Sequence, residues 1–191
     1  MSQSNQYGHG QGQGNQSQSP NASGRHDQND LKDDLDLADE SKYLLFRLGE
    51  ELYGTPLLGV REVLQPQNPK AIPNTVQHFM GLINIRGQII GVVDLRIRFE
   101  YEKLDAPTRA YLVFETETGP IAAIVDKVEA VVRIDEGQMH KKPNIRSQVP
   151  VQFLIGAANH MGTLVTLIDL NKTLSKEDYV QIQKAKLSAA G

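Results

Sequence analysis

The residues whose types and spacing could perform chemistry are two aspartates, Asp94 and Asp169, which lie 75 positions apart and are each followed by leucine. Two carboxylates that lie close together can share a proton and act as an acid–base pair, as in aspartic proteases. Neither aspartate has the Asp-Thr/Ser-Gly context of those enzymes. An enzyme that uses this pair stays open as an alternative, but the sequence favours a protein that binds over one that catalyses.

Other signatures of catalysis or metal binding are missing from the sequence. It contains no Gly-x-Ser-x-Gly elbow, no Walker A loop and no dinucleotide-binding fingerprint. Cysteine is absent, which excludes disulfides, thiolate metal sites and a cysteine nucleophile. His78, His140 and His160 are separated from one another in the sequence. We therefore expect no cofactor and no metal.

The two aspartates belong to a longer internal repeat, in which residues 81–95 match residues 156–170. Residues that recur in both copies are expected to serve architecture, because a catalytic role would not usually need two copies. Glycine would supply backbone freedom at turns or bulges, asparagine would bond local backbone, and aspartate would cap the next turn. The identical pairs are Gly81/Gly156, Asn84/Asn159, Gly87/Gly162, Asp94/Asp169 and Leu95/Leu170.

Arg86 is the largest chemical difference between the two copies, because Met161 takes its place in the second. A further match at an offset of 68 aligns residues 60–63 with 128–131 and puts Ala130 at the position of Glu62. The first half thus carries both members of a candidate ion pair and the second half carries neither. An exposed arginine without a role is one interpretation, but the joint loss favours an anchor at a protein interface.

The repeat implies two similar small β units. Short apolar runs separated by glycine-containing turns favour barrels or sandwiches over α/β layers. Ser175 is expected to cap a C-terminal helix with Glu177 and Asp178 in its first turn. The elements predicted in the first half are strands at 43–48, around Tyr53 and over 57–63, one helical turn at 75–80, strands at 83–85 and 89–95 with a tight turn at Arg86-Gly87, and a short helix at 95–99.

Residues 1–41 differ in composition from the rest of the chain. Gln, Asn, Ser and Gly make up 21 of the first 30 residues, and seven acidic residues stand against two basic ones up to residue 41. Such a segment buries too little apolar surface to offset its ordering entropy, so we predict a disordered leader. It either solubilises the chain or docks on a basic partner. The net charge of −3 argues against nucleic-acid binding.

Several segments, in order and with matching spacing, resemble the CheW family, the coupling proteins of bacterial chemotaxis. The resemblance covers about residues 42–172. It implies an all-β fold of two five-stranded SH3-like β-barrel subdomains around a shared core, with a short C-terminal helix. The family usually has proline where this chain has Gly91. The matching segments are residues 48–54, 60–63, 72–74, 81–87, 92–95, 121–131, 153–156 and 169–170.

The resemblance also implies a non-catalytic adaptor that couples the cytoplasmic tip of methyl-accepting chemoreceptors to the regulatory domain of the histidine kinase CheA. A CheW-like array that controls another output, such as surface motility, is the alternative. Asn144 and Ile145 fall in the loop associated with kinase contact. In the family, the glutamate and arginine at the positions of Glu62 and Arg86 can pair with each other. The positions associated with receptor binding are Val60, Glu62, Gly81, Asn84, Arg86 and Gly87.

The sequence therefore predicts three regions: a disordered leader at 1–41, a CheW-like domain at 42–172 and a C-terminal helix and tail at 173–191. No apolar run reaches the roughly 18 residues needed to cross a membrane. We expect a cytoplasmic protein that reaches membrane-bound receptor arrays through its partners, without inserting into the membrane. Because no kinase or response-regulator segment is present, it resembles a stand-alone coupler more than CheA or CheV.

Overall fold

The computed structural model describes residues 40–101, 109–141 and 147–190. The predicted leader lies outside them except for Glu40 and Ser41, and so do Asn144 and Ile145. Strands dominate, and the predicted short and C-terminal helices are present. The elements are β1 (Lys42–Leu48), β2 (Glu51–Pro56), β3 (Val60–Leu64), β4 (Phe79–Ile85), β5 (Gln88–Asp94), α1 (Leu95–Arg98), β6 (Ala110–Phe114), β7 (Ile121–Val125), β8 (Lys127–Arg133), β9 (Met139–His140), β10 (Leu154–His160), β11 (Thr163–Ile168) and α2 (Lys176–Ala190).

The strands form two sheets, each an SH3-like barrel. Sheet A has the strand order β8-β1-β2-β11-β10-β9, and sheet B has the order β3-β6-β7-β5-β4. Sheet A counts six strands because the two-residue strand β9 pairs with β10. In sheet B the equivalent contact is a single bridge between Lys70 and Leu82. The predicted all-β fold of two barrels is confirmed.

Each sheet takes strands from both halves of the sequence. Strands β1 and β2 of the first half pair with β8 and β11 of the second, while β6 and β7 of the second half pair with β3 and β5 of the first. The pairings β2–β11 and β5–β7 are parallel. The two repeats are thus not two separate β units, because neither half can complete a barrel without strands of the other.

The apolar side chains divide into a central core and one smaller cluster within each sheet. Strand β1 shows the division: Leu44, Phe46 and Leu48 enter the central core, while Tyr43 and Leu45 enter the cluster of sheet A. Because side chains alternate along a strand, a strand buried on both faces reads as an unbroken apolar run. The shared core that the family resemblance implied is confirmed.

Residues 75–80 form no helical turn, contrary to the prediction. Phe79 and Met80 already belong to β4, and two non-helical turns precede them. The backbone N–H of Val76 donates to Gln181 Oε1 of α2 at 3.0 Å. This part of the chain is thus connected to α2, 105 residues away in the sequence.

Helix α2 packs on sheet B. Its start has the predicted cap: Ser175 Oγ accepts from Asp178 N at 3.1 Å, and Asp178 Oδ2 accepts from Ser175 N at 2.8 Å. Ile182 is buried against Gly91, where an added Cβ would lie 2.7 Å from Ile182 Cγ2. Gly91, where the resemblance led us to expect proline, thus leaves room for Ile182.

A buried ion pair connects the two barrels. Arg96 in α1 donates from Nη1 to Asp126 Oδ2 at 2.5 Å, and the N–H of Gly49 donates to the same oxygen at 2.7 Å. Gly49 lies in the turn between β1 and β2 of sheet A, whereas α1 follows β5 of sheet B. Both charged side chains are almost fully buried. This cluster fixes one barrel against the other.

Candidate functional site

The two hairpin turns, β4–β5 and β10–β11, have the same backbone. Arg86 and Gly87 have φ of +52° and +85°, and Met161 and Gly162 have φ of +52° and +81°. Two consecutive residues with positive φ favour a type I′ turn, which suits the twist of a hairpin. The turn does not require a cation, because methionine adopts the same conformation in the second copy.

The repeated asparagines stabilise these turns as predicted. Asn84 Oδ1 accepts from the N–H of Gly87 at 2.9 Å, and Asn159 Oδ1 accepts from Gly162 at 2.9 Å. The two turns therefore present residue 86 and residue 161 on equally fixed supports.

The other repeated glycines lie at β-bulges. The register shifts at Gly81 in β4 and at Gly156 in β10. An added Cβ at Gly81 would lie 2.1 Å from Lys70 O, and one at Gly156 would lie 2.9 Å from His140 O. Gly81 lies five residues before Arg86, about 16 Å along an extended strand. It therefore shapes the hairpin and does not touch the turn.

The two repeated aspartates cap the segments that follow them, as predicted. Asp94 Oδ1 accepts from Arg96 N at 2.9 Å, and Asp169 Oδ1 accepts from Asn171 N at 3.0 Å. One aspartate ends a strand of sheet B and the other follows the last strand of sheet A. Each carboxylate thus has a structural role at its own turn.

The candidate ion pair is present. Arg86 Nη2 lies 3.6 Å from Glu62 Oε2, with side-chain exposures of 82% and 21%. Val60, two residues before Glu62, is half-buried against the central core. On the equivalent hairpin Met161 is 93% exposed. One hairpin thus carries an accessible guanidinium, which lies beside a more sheltered carboxylate of β3, and the other hairpin carries an apolar side chain.

An exposed pair at this distance stabilises the fold by about 0–1 kcal/mol. The contribution to stability is therefore too small to account for the two charges. An arginine on a fixed turn can bind a carboxylate of another molecule through two parallel hydrogen bonds. Among the predicted positions, Glu62, Asn84, Arg86 and Gly87 come together at this end of sheet B. We call this end, with its charged pair, the Arg86 surface.

The structure adds polar residues that the sequence did not single out. Arg61 Nη1 donates to Gln88 Oε1 at 3.1 Å and lies 3.7 Å from Glu115 Oε2. The alignment at an offset of 68 could have indicated Arg61, because it pairs this residue with Glu129, a reversal of charge.

Within the described residues, no group of three or more His, Asp or Glu side chains is placed to hold a metal ion. The described part of the chain also has no helix of the length and apolarity that a membrane span requires. The proposed kinase-contact positions, Asn144 and Ile145, are outside the described residues and stay predictions.

Comparison with known proteins gives a consistent result. The model of the CheW-like domain family matches residues 42–178. A chemotaxis protein CheW from Treponema pallidum is 23% identical over 145 residues, which span 73% of this chain and 85% of the relative. A chemotaxis protein CheW from Klebsiella aerogenes is 26% identical over 148 residues, or 77% of this chain and 89% of the relative.

A solved structure is similar as well. The crystal structure of the scaffolding protein TtCheW from Thermoanaerobacter tengcongensis matches with a TM-score of 0.66 and 30% identity. The match covers 73% of this chain and 90% of that one.

Proposed function

The chain belongs to the CheW-like domain family, and from that premise we propose that it is a non-catalytic chemotaxis adaptor. It couples methyl-accepting chemoreceptors to the histidine kinase CheA. The family match over residues 42–178 and the relatives named as chemotaxis and scaffolding proteins support this role. The chain acts in the cytoplasm and reaches the receptor array through its partners.

The receptor's cytoplasmic tip binds at the Arg86 surface. The observation that carries this assignment is the difference between two equivalent hairpins. Both have the same turn, but Arg86 on one forms an ion pair with Glu62 of the neighbouring strand β3, while Met161 is 93% exposed on the other. Arg86 and Glu62 contact the partner, Asn84 and Gly87 hold the turn, and Gly81 and Val60 shape the strands that support it.

The regulatory domain of CheA contacts the segment that contains Asn144 and Ile145. Replacing both residues by alanine should weaken capture of CheA and leave receptor binding unchanged. Pull-down of each partner alone separates the two contacts. Equal loss of both partners would contradict separate surfaces.

The central test is the substitution Arg86→Glu. The fold should survive, because the Arg86 side chain is 82% exposed. Its φ of +52° is also no less favourable for glutamate than for arginine. Receptor binding should fall at least about ten-fold, since an attractive contact becomes repulsive. Met161→Glu is the matched control, because it makes an acidic tip on the equivalent hairpin and should bind receptor normally.

The measurement is a ternary pull-down with CheA and a chemoreceptor cytoplasmic fragment, alongside thermal unfolding of each variant. The exchange Glu62→Arg with Arg86→Glu should restore part of the binding if the two residues act as a pair. If Arg86→Glu unfolds the chain, or binds receptor like the unsubstituted protein, the proposed contact is wrong. Failure of the unsubstituted chain to bind either partner would refute the adaptor role itself.

A further inference from the structure

Arg61 is the extra residue of a β-bulge in β3. Val60 pairs with Phe114 and Glu62 pairs with Val113, which are neighbours on β6, so Arg61 has no residue opposite it. A bulge bends its strand and redirects the side chains around it, and bulges recur beside functional sites. The Arg61 side chain is 47% exposed. It stands next to Glu62 of the Arg86 surface.

The same bulge occurs at the equivalent place in sheet A. Leu45 pairs with Ala130 and Phe46 pairs with Val128, so Glu129 is the extra residue of β8. The offset of 68 that relates Arg61 to Glu129 also relates Arg47 to Glu115. The two barrels thus carry an ion pair at the same two positions with the charges exchanged.

The two pairs differ in how much of the bulge residue's hydrogen-bonding capacity is used within the protein. Glu129 uses both oxygens internally, at 2.7 Å from Arg47 Nε and 2.9 Å from Lys127 Nζ. Hydrogen bonds from Lys127 and Arg47 lower the pKa of this carboxyl, so it stays ionised.

Arg61 makes fewer and longer hydrogen bonds within the described part of the chain than Glu129 does. Among the described residues its contacts are one hydrogen bond from Nη1 to Gln88 and the 3.7 Å approach to Glu115, whose side chain is 59% exposed. A guanidinium has five N–H donors, so one hydrogen bond leaves most of its hydrogen-bonding capacity unused by the described residues.

Arg61 and Arg86 belong to the same surface. Strand β3 is joined to the β4–β5 hairpin twice, by Arg61 with Gln88 and by Glu62 with Arg86. Gln88 is two residues after Arg86, so these contacts bring the two arginines to one end of sheet B. Glu62, at 21% exposure, is more sheltered than either arginine.

We propose that Arg61 is a second recognition arginine of the Arg86 surface, and that the receptor tip presents acidic side chains to both arginines. The inference rests on the proposed function and adds the chemistry of the partner. Arginine is suited to this role because its planar fork binds a carboxylate through two parallel hydrogen bonds. Glu115 competes with the partner's carboxylate for Arg61.

This assignment predicts opposite effects for two neutralising substitutions. Arg61→Gln should weaken binding of a soluble chemoreceptor cytoplasmic fragment about five-fold, because a charged contact is lost. The difference in affinity should be smaller at high salt, which screens this contact. Glu115→Gln should tighten binding, because it removes a charge that repels an acidic partner. Arg61→Lys should bind between Arg61→Gln and the unsubstituted chain, since it keeps the charge and loses the fork.

The experiment is titration calorimetry with the full chain at two salt concentrations, with thermal unfolding as the check on folding. Glu129→Gln, at the equivalent bulge of sheet A, is the control and should leave receptor affinity unchanged. Normal affinity of Arg61→Gln, or weaker binding by Glu115→Gln, overturns the inference. If Arg86→Glu weakens binding in the same titrations and Arg61→Gln does not, the proposed function stands and this inference alone is wrong. If the unsubstituted chain fails to bind the fragment, both are wrong.

Discussion

Removing the carboxylate of Asp126 should destabilise the whole domain. Asp126 Oδ2 accepts hydrogen bonds from Arg96 Nη1 at 2.5 Å and from Gly49 N at 2.7 Å. The side chains of Arg96 and Asp126 are only 5% and 11% exposed. In the Asp126→Ala chain the guanidinium stays buried without this counter-charge, and the Gly49 N–H loses its acceptor.

Breaking a buried pair from one side typically costs about 3–5 kcal/mol, because the remaining charge keeps its desolvation penalty. A domain of roughly 150 residues changes its unfolding temperature by about 2–4 °C per kcal/mol. The midpoint should therefore fall by roughly 6–20 °C. The surface pair Arg133–Asp135, with exposures of 63% and 59%, offers a control, and Arg133→Ala should change the midpoint little.

The assay is urea unfolding followed by circular dichroism, with calorimetry for the midpoint. The double substitution Arg96→Met with Asp126→Ala should recover part of the loss, because it removes the buried charge but still leaves the Gly49 N–H without its acceptor. A loss below about 1 kcal/mol for Asp126→Ala would mean that the pair is not buried in solution. A double variant no more stable than Asp126→Ala would show that packing, and not the loss of the Asp126 counter-charge, determines the cost.

Two further predictions concern the contact between α2 and sheet B. Gly91→Ala should cost about 1–3 kcal/mol in urea unfolding, because its Cβ would lie 2.7 Å from Ile182 Cγ2. Gly59→Ala is the control and should not lower the free energy of unfolding, because its Cβ would meet nothing within 4 Å. Equal stability of the two variants would contradict the close packing at Gly91. Burial lowers the pKa of His78 despite Asp178 Oδ1 at 3.1 Å, so the unfolded chain binds this proton more readily than the folded one. Stability should fall as pH drops from about 6.5 through the lower folded pKa. The fall should shrink in His78→Gln, and an unchanged pH profile would show that other groups cause it.

The local features of the fold could be predicted because the residues that determine them are close in sequence. Asn84 bonds the N–H three residues ahead, Asp94 bonds the one two residues ahead, and Ser175 exchanges bonds with Asp178. The repeat supplied a second test of each turn and cap. The prediction for residues 75–80 was wrong because Phe79 already pairs with Val93 of β5, a partner 14 residues further along the chain.

The candidate site was predictable in part. Comparison of the two halves indicated Glu62 and Arg86 as partners because both are lost together in the second copy, and the 3.6 Å contact confirms the pair. Arg61 was not recognised, although the offset of 68 aligns it with Glu129; what the sequence does not show is that Arg61 lies at a bulge. An extra residue in one strand is visible only once the register with β6 is known.

The sequence by itself determined the β class, the two matched hairpins, their caps and the charged turn that one hairpin carries and the other lacks. Tertiary structure alone decided how the halves combine. Strands β1 and β2 complete a barrel with the second half, Arg96 meets Asp126 across the barrels, and Gly91 admits Ile182. The physical reason is the range of the interactions. Turns and caps are closed by hydrogen bonds within a few residues, whereas exchanged strands bury the same apolar side chains as unexchanged ones would, so only the packed molecule distinguishes them.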